Sequence, residues 1–195
     1  MSSKVQICNL AIARIGGSSI NSLNEAQKES IECKRFYDVS RKAVLRTHKW
    51  GFSIKQITLA LTTETYLDYT YAYAYPIDAL LIHKIYNPTS KDKKLEYVIR
   101  ASSSLSSKVI LTDEEDAQIL YTANVENTNS FDSLFLEALS WKLAADLAQP
   151  VRGDENLQNI CLQNFLLTIS QAQTNDSNEG YQPPNDNNSF IDARI

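Results

Sequence analysis

The hydrophobic period of this chain changes twice. Up to His48 apolar residues recur at spacings of three and four, after Gly51 they recur at spacing two, and from about Phe131 the helical period returns. A chain whose ends form helices and whose middle forms strands must fold its two ends together and carry the middle as an insertion. The expected fold is therefore α+β: an antiparallel bundle of about four helices, an inserted antiparallel β section and an extended C-terminal arm. The expected boundaries are 1–49 and 130–173 for the bundle, 50–129 for the β section and 174–195 for the arm.

Four segments carry the helical period. Lys4 to Ile15 places Val5, Cys8, Ala11, Ile12 and Ile15 on one face, and Gly16-Gly17 stops it. Glu25 to Arg46 carries Cys33, Phe36, Tyr37, Ser40 and Val44 as a stripe, with Asn24 and Gln27 predicting a capping box. Ser133 to Gln149, capped by Asp132, is apolar on nearly every side, which places it at the centre of a bundle or against a neighbouring subunit. Glu155 to Gln173 lines up Leu157, Cys161, Phe165 and Ile169. The short connections Gly16 to Asn24 and Pro150 to Asp154 predict that the first helix pairs with the second and the third with the fourth.

In the middle, strands are expected around Phe52–Leu61, Tyr69–Tyr75, Leu80–Tyr86, Leu95–Ile99, Lys108–Leu111 and Ala117–Val125. Gln56-Ile57 breaks the alternation and suggests a bulge, Asn87-Pro88 and Thr112-Asp113 are turns, and Ala101–Ser107 is a loose connection or hairpin loop. The stretch YLDYTYAYAYPID is the unusual one. At period two, Tyr69, Tyr71, Tyr73 and Tyr75 point to one face and Thr70, Ala72 and Ala74 to the other. Tyrosine gives broad, half-wet contact area and is enriched where proteins meet, so this row is a candidate interface, with a strand covering the bundle as the plain alternative. The arm is rich in Asn, Asp, Ser and Pro and cannot build a core, yet it ends in Phe190, Ile191 and Ile195; it reads either as a frayed terminus or as a second candidate contact that orders on another subunit.

Net charge is −4, which offers no global basic field to nucleic acid or an anionic membrane. Lys4, Gln6, Asn9 and Arg14 interrupt the first apolar segment, arguing against a signal peptide, and no run has the length of a membrane span. Cys8, Cys33 and Cys161 are widely spaced, as expected of reduced, buried thiols in an intracellular setting. Neither His48 nor His83 has ligand-like neighbours at metal-binding spacing, and no P-loop, G-x-G-x-x-G or G-x-S-x-G occurs. The acidic run TDEEDAQ lacks the alternating oxygen ligands of a calcium loop and is a solvated turn. No catalytic, cofactor or metal residue is therefore assigned. Arg35, Arg41, Lys42, Arg46 and Lys49, with His48, cluster toward the end of the second helix. They favour the helix dipole and are candidate electrostatic contacts to a phosphate backbone or an acidic partner. Trp50 and Trp141 are expected core anchors, Trp50 closing the seam between bundle and β section.

CNLAIARIGGSSINSLNE (8–25), CKRFYDVSRKAVLRTHKWGFS (33–53), YAYAYPIDAL (71–80) and FDSLFLEALSWKLAADLAQPV (131–151) resemble, in order and spacing, the successive signatures of the tail tubular protein A family. These are head–tail connector, or adaptor, proteins of short-tailed bacteriophages. Arg14, Gly16 and Gly17 match the turn after the first helix; Phe36, Tyr37, Arg41, Arg46 and Trp50 match the second-helix signature; Tyr73, Tyr75, Pro76 and Asp78 match the entry into the β section. The tyrosine- and alanine-rich 71–75 and the lysine-rich 91–94 depart from the pattern and leave the partner surface open. The resemblance implies a structural, non-enzymatic virion subunit at the head–tail junction, made in the cytoplasm of a bacterial host. It would form a homo-oligomeric ring, usually of twelve copies, beneath the portal protein and above a tail or nozzle protein. DNA would pass through the ring without sequence-specific binding, a passage that suits the acidic balance, and no membrane would be involved. Two other readings remain at this point: an interaction scaffold outside a virion, and a small hydrolase assembled from scattered residues such as His83 and Asp78.

Overall fold

The computed structural model describes residues 3–87 and 95–179. Its helices are α1 (Lys4–Arg14), α2 (Lys28–Thr47), α3 (Ser133–Leu147) and α4 (Glu155–Glu179). Its strands are β1 (Ile54–Thr58), β2 (Tyr71–Ala74), β3 (Ala79–Tyr86), β4 (Val98–Ala101), β5 (Lys108–Thr112) and β6 (Gln118–Ala123). All six strands lie between α2 and α3, so the α+β architecture with an inserted antiparallel β section is the one observed. The arm's first residues, through Glu179, continue α4 as helix; Phe190, Ile191 and Ile195 lie outside the described residues, as do Pro88 and the lysines at 91–94.

The ends of the helices are set by local chemistry. Ser3 and Gln6 form a reciprocal capping box at the start of α1, with Ser3 Oγ accepting from Gln6 N at 3.1 Å and Gln6 Oε1 accepting from Ser3 N at 2.7 Å. At its other end Gly16 adopts φ 67°, which lets Gly17 N–H reach Ile12 O at 3.0 Å and Gly16 N–H reach Ala13 O at 3.1 Å, the paired bonds of a Schellman motif. α2 begins at Lys28, later than its sequence suggests, and the Asn24–Gln27 box is not formed. Asn24 Oδ1 instead accepts from Lys34 Nζ at 3.0 Å, Glu25 Oε1 accepts from Asn21 N at 3.0 Å, and Ser30 Oγ donates to Ser22 O at 2.8 Å. These side-chain bonds hold 21–27 as turns rather than as a first helical turn. Asp132 caps α3 as expected, accepting from Leu134 N at 3.0 Å. After Leu147 a π-helical turn (Ala148–Arg152) containing Pro150 leads to Gly153 at φ 68°, where the helix ends.

α3 is the axis of the bundle. Phe135, Leu139, Leu143 and Leu147 are fully buried, as are Ala138, Ala144 and Ala145 on other sides of the same helix. α1, α2 and α4 all pack on it, whereas α1 and α2 touch each other only sparingly. The expected pairing of the third and fourth helices is observed; that of the first with the second is slight, limited to contacts such as Cys8–Cys33 and Lys4–Tyr37, because both pack mainly on α3. Fully burying each large apolar side chain is worth roughly 1.5–3 kcal/mol, which makes α3 the main source of bundle stability.

The six strands form two three-stranded antiparallel sheets, β1-β6-β3 and β2-β5-β4. Tyr73 and Ile110 from one and Ile82, Ile85, Ile119 and Tyr121 from the other share a single core. β1 pairs with β6 in unbroken register from Ile54–Thr122 to Thr58–Gln118, so there is no bulge at Gln56-Ile57; the register shifts occur instead in β3, at Ala79/Leu81 and Ile82/Lys84. The 102–107 segment closes the β4–β5 hairpin, as anticipated.

Two devices fasten the β section to the bundle. The chain leaves the bundle through Trp50 and Phe52 and returns through Phe131, and these rings converge on Phe135 with centroids 5.2, 5.1 and 4.7 Å away. Trp50 Nε1 also donates to Val44 O at 2.9 Å, so Trp50 closes the seam as its position suggests. The second device is Arg41, whose side chain is wholly buried; it donates to Val125 O at 2.6 Å and Asn124 Oδ1 at 2.8 Å, just after β6, with Asp38 and Glu126 flanking it at 3.4 and 3.7 Å. Arg41→Ala is expected to lower unfolding free energy by about 3 kcal/mol in urea denaturation, because it strands these acceptors. Arg41→Lys should recover less than half of that, since an ammonium cannot span the same fork.

Candidate interaction surface

The tyrosine row does not form one exposed face. Tyr71, Tyr73 and Tyr75 turn toward the core between the sheets, and Tyr73 is 2% exposed, with its hydroxyl donating to Glu114 O at 2.9 Å. Tyr71 stacks on Tyr73 with centroids 6.2 Å apart, and Tyr75 lies under Lys108 at 5.4 Å. Tyr69 precedes the strand in a tight turn and packs on the opposite side, against Ala72, Val109 and Leu111. The strand is only four residues long, so period two does not extend to Tyr69. These tyrosines are interior groups of a thin sandwich, where a phenol fills volume and still reaches a carbonyl. Pro76 and Asp78 lead into β3, and Asp78 accepts from Lys55 Nζ at 2.7 Å and from Tyr121 OH at 3.0 Å, bracing both edges of the entry.

The basic cluster also divides. Arg41 is buried structure rather than an electrostatic contact, because α2 turns it toward β6. Arg35 pairs with Glu32 at 2.8 Å on its own helix, while Lys42, Arg46 and Lys49 stay on the surface. His48 meets the edge of Trp50 at 5.0 Å. Trp141 is only half-buried; its face carries the Arg14 guanidinium at 3.6 Å, a stacked cation–π pair that joins α1 to α3 beside the Gly16-Gly17 turn. A Cβ on Gly17 would meet Ile12 Cγ2 at 2.9 Å, so this turn needs glycine for close approach as well as for conformation.

His83 and Asp78 do not share partners. His83 Nε2 is 2.8 Å from Thr122 Oγ1, and burial, with Lys49 nearby, pushes the ring below its usual range and favours the neutral form. Cys8 and Cys33, distant in sequence, adjoin across α1 and α2; the hydrogen bond that the Cys8 thiol donates to Cys33, together with burial, holds that thiol far above its ordinary range and so unreactive. The TDEEDAQ run is a structured turn in which Asp113 accepts from Thr70 N at 2.8 Å and Glu114 Oε2 from Asn87 Nδ2 at 2.6 Å. Among the described residues, no group of three His, Cys, Asp or Glu is arranged to hold a metal ion, and no helix is long and apolar enough to cross a membrane. A groove of about 420 Å³ lies between Tyr69 and Leu95–Val98.

What the sequence reading missed is where the apolar surface went. Leu61, Leu67 and Leu105 project from the loops of the β2-β5-β4 sheet, and the Glu64 carboxylate holds two of those loops together by accepting from Tyr66 OH and Ser103 N. Ile160, Leu166 and Leu167 project from α4. The signal was present in α4 as apolar residues off its buried stripe, but a surface position for them is decided only once α3 has taken the opposite side.

Two tyrosines give a paired test. Tyr73→Phe should cost about 1 kcal/mol by losing the bond to Glu114 O, whereas Tyr37→Phe should be neutral or stabilising by up to about 1 kcal/mol, because the Tyr37 hydroxyl is buried without a partner. The pH profile is also defined. Desolvation alone would raise the Asp78 carboxyl, but the bonds from Lys55 and Tyr121 outweigh it and hold it low, while burial and Asp78 push Tyr121 up to about 12. Depressed His83 and Asp78 contribute stability above roughly pH 6.5 and 3.9, lost as pH falls; raised Tyr121 contributes below roughly pH 10, lost on the way to about 12. Because the raised Cys8 thiol begins to lose its contribution above roughly pH 8.5, urea midpoints should peak between about pH 6.5 and 8.5, and Tyr121→Phe should flatten only the part of the alkaline limb above about pH 10. No protein-family model matches this chain, and no curated protein matches it.

Proposed function

We propose that this chain is a structural subunit of the head–tail connector of a short-tailed bacteriophage. Copies of it form a ring beneath the portal protein, the ring receives a tail or nozzle protein, and its lumen continues the path by which DNA leaves the capsid. The subunit works by contact rather than by catalysis. The observation that carries this reading is the architecture: a bundle built from both ends of the chain, interrupted by an antiparallel β section, which is the arrangement implied by the resemblance to the tail tubular protein A family. Buried Arg41 and the rings around Phe135 fasten the β section to the bundle, as a subunit that transmits force around a ring requires. Exposed apolar residues on α4 and at the β-section loops supply surface for neighbours. A closed ring follows when one such contact is heterologous and repeats around an axis.

The test is cryo-electron microscopy of the protein isolated from its native source in its assembled state. A ring of about twelve copies between a portal and a tail is the expected result. Recovery only as a free monomer, with no capsid or tail protein bound, would sink the connector assignment and leave the fold unaffected.

A further inference from the structure

We infer that the outer face of α2 is the surface by which one copy of this chain holds the acidic β5–β6 turn of another copy. The first observation is a single mixed stripe along α2. Lys28, Ile31, Arg35, Val39, Lys42 and Arg46 succeed one another at spacings of three and four, which puts them on one side of the helix. All six are exposed, Ile31 by 47% and Val39 by 65%. That side is basic although the chain carries −4: Lys28 to Lys49 holds seven Lys and Arg against three acids. The acids are already engaged. Glu32 accepts from Arg35, Asp38 flanks buried Arg41, and Glu29 accepts from Ser18 N at 3.4 Å. Lys28, Lys42 and Arg46 make no ion pair among the described residues.

The second observation is the acidic counterpart. No Lys or Arg occurs from Val109 to Trp141, and Asp113, Glu114, Glu115 and Asp116 lie together in the β5–β6 turn. Three bonds hold the turn in shape. Thr70 N donates to Asp113 at 2.8 Å, Tyr73 OH to Glu114 O at 2.9 Å and Asn87 Nδ2 to Glu114 Oε2 at 2.6 Å. Glu115 and Asp116 are left exposed, with no ion pair among the described residues. Leu61, 64% exposed, shares that end of the β section: it bridges to Tyr73 and follows Leu59, whose N–H bonds Ala117 O at 2.9 Å. A fixed tip of carboxylates with one aliphatic side chain matches a stripe of cations with Ile31 and Val39 among them. Its preset shape lowers the ordering cost of the contact.

The two surfaces cannot meet within one copy. Through Arg41, α2 clasps Asn124 and Val125 just after β6, whereas the acidic turn lies just before β6. The intervening strand sets them on the order of 25 Å apart, at opposite ends of the β section. Each surface therefore needs another molecule. A second copy fits the stripe better than nucleic acid does. Against phosphates Ile31 and Val39 would gain nothing, and exposed Asp38 on the flank would be repelled. A second copy brings carboxylates and Leu61 on the same tip. The contact joins unlike surfaces, so it is heterologous and repeats around an axis. The stripe is ~27 Å long and ~10 Å wide, which makes each contact small and salt-sensitive and leaves closure of a ring to strengthen it. The inference rests on the ring reading for copies to meet at all and adds which surfaces make the contact.

The test is sedimentation velocity of the purified full chain across a concentration series, at about 50 mM and about 500 mM salt, with two charge variants and their combination. Lys42→Glu/Arg46→Glu reverses the stripe. Glu115→Lys/Asp116→Asn reverses the turn, asparagine being suited to the left-handed backbone at Asp116, φ 51°. The wild type should self-associate at low salt and at least about tenfold more weakly at high salt. Each variant alone should associate at least about tenfold more weakly than the wild type, and the combination, in which the charges are exchanged, should recover to within about threefold. Thermal melts matching the wild type would show that all the variants fold. Variants that associate like the wild type, a combination as weak as its parents, or a wild type monomeric to ~100 µM each overturn the inference. Retention of duplex DNA that the α2 variant loses while its self-association is unchanged overturns it in favour of a nucleic-acid contact. The connector reading is tested separately, by imaging the native assembly, and stands or falls there whatever the sedimentation result.

Discussion

α3 is apolar almost all round, its charge confined to Glu137, Lys142 and Asp146, and such a helix must be enclosed. Burial of Phe135, Leu139, Leu143 and Leu147 on one flank and of Ala138, Ala144 and Ala145 on others demands neighbours all around, and the chain supplies three of them. The alanines matter as much as the large residues, since they allow the surrounding backbones to approach closely. α1 and α2 meet only at a few contacts, Cys8–Cys33 among them, although a short connection would have let them pair along their length. The outward surfaces of α1 and α4 follow as a remainder: once each helix commits its apolar stripe to α3, whatever lies opposite is left to solvent or to another protein.

The β section depends on the bundle at the places where the chain enters and leaves it. Four aromatic rings meet there, and Phe135 of α3 is the one the other three share. Arg41 adds direction to that packing. A guanidinium in apolar surroundings is tolerated only when its donors are matched, and the Val125 carbonyl and Asn124 amide oxygen can meet it in only one placement of β6. Packing thus holds the two parts together, and the arginine fixes their register.

The same logic explains why the tyrosines differ from an interface row. The sandwich is thin, its core is small, and its walls reach solvent within one side chain. A phenol suits such a wall: Tyr73 fills the core and hands its hydroxyl to Glu114 O, and Tyr121 does the same toward Asp78. Among the residues that remain for contact are aliphatic groups on α4 and on the loops of the second sheet, which carry no pattern that announces them.

The change of hydrophobic period by itself determined that helices flank a β section. Glycine and Asp132 chemistry determined where α1 stops and α3 starts, and an all-round apolar composition determined that α3 is central. Those features are local or compositional, so they are visible along one strand of text. Tertiary structure alone decided that Arg41 is interior, that Cys8 adjoins Cys33, that Tyr69 parts from Tyr71, and that Ile160 and Leu167 face outward. Each of those outcomes depends on which element occupies the far side of a residue, and that is settled by packing between segments distant in sequence.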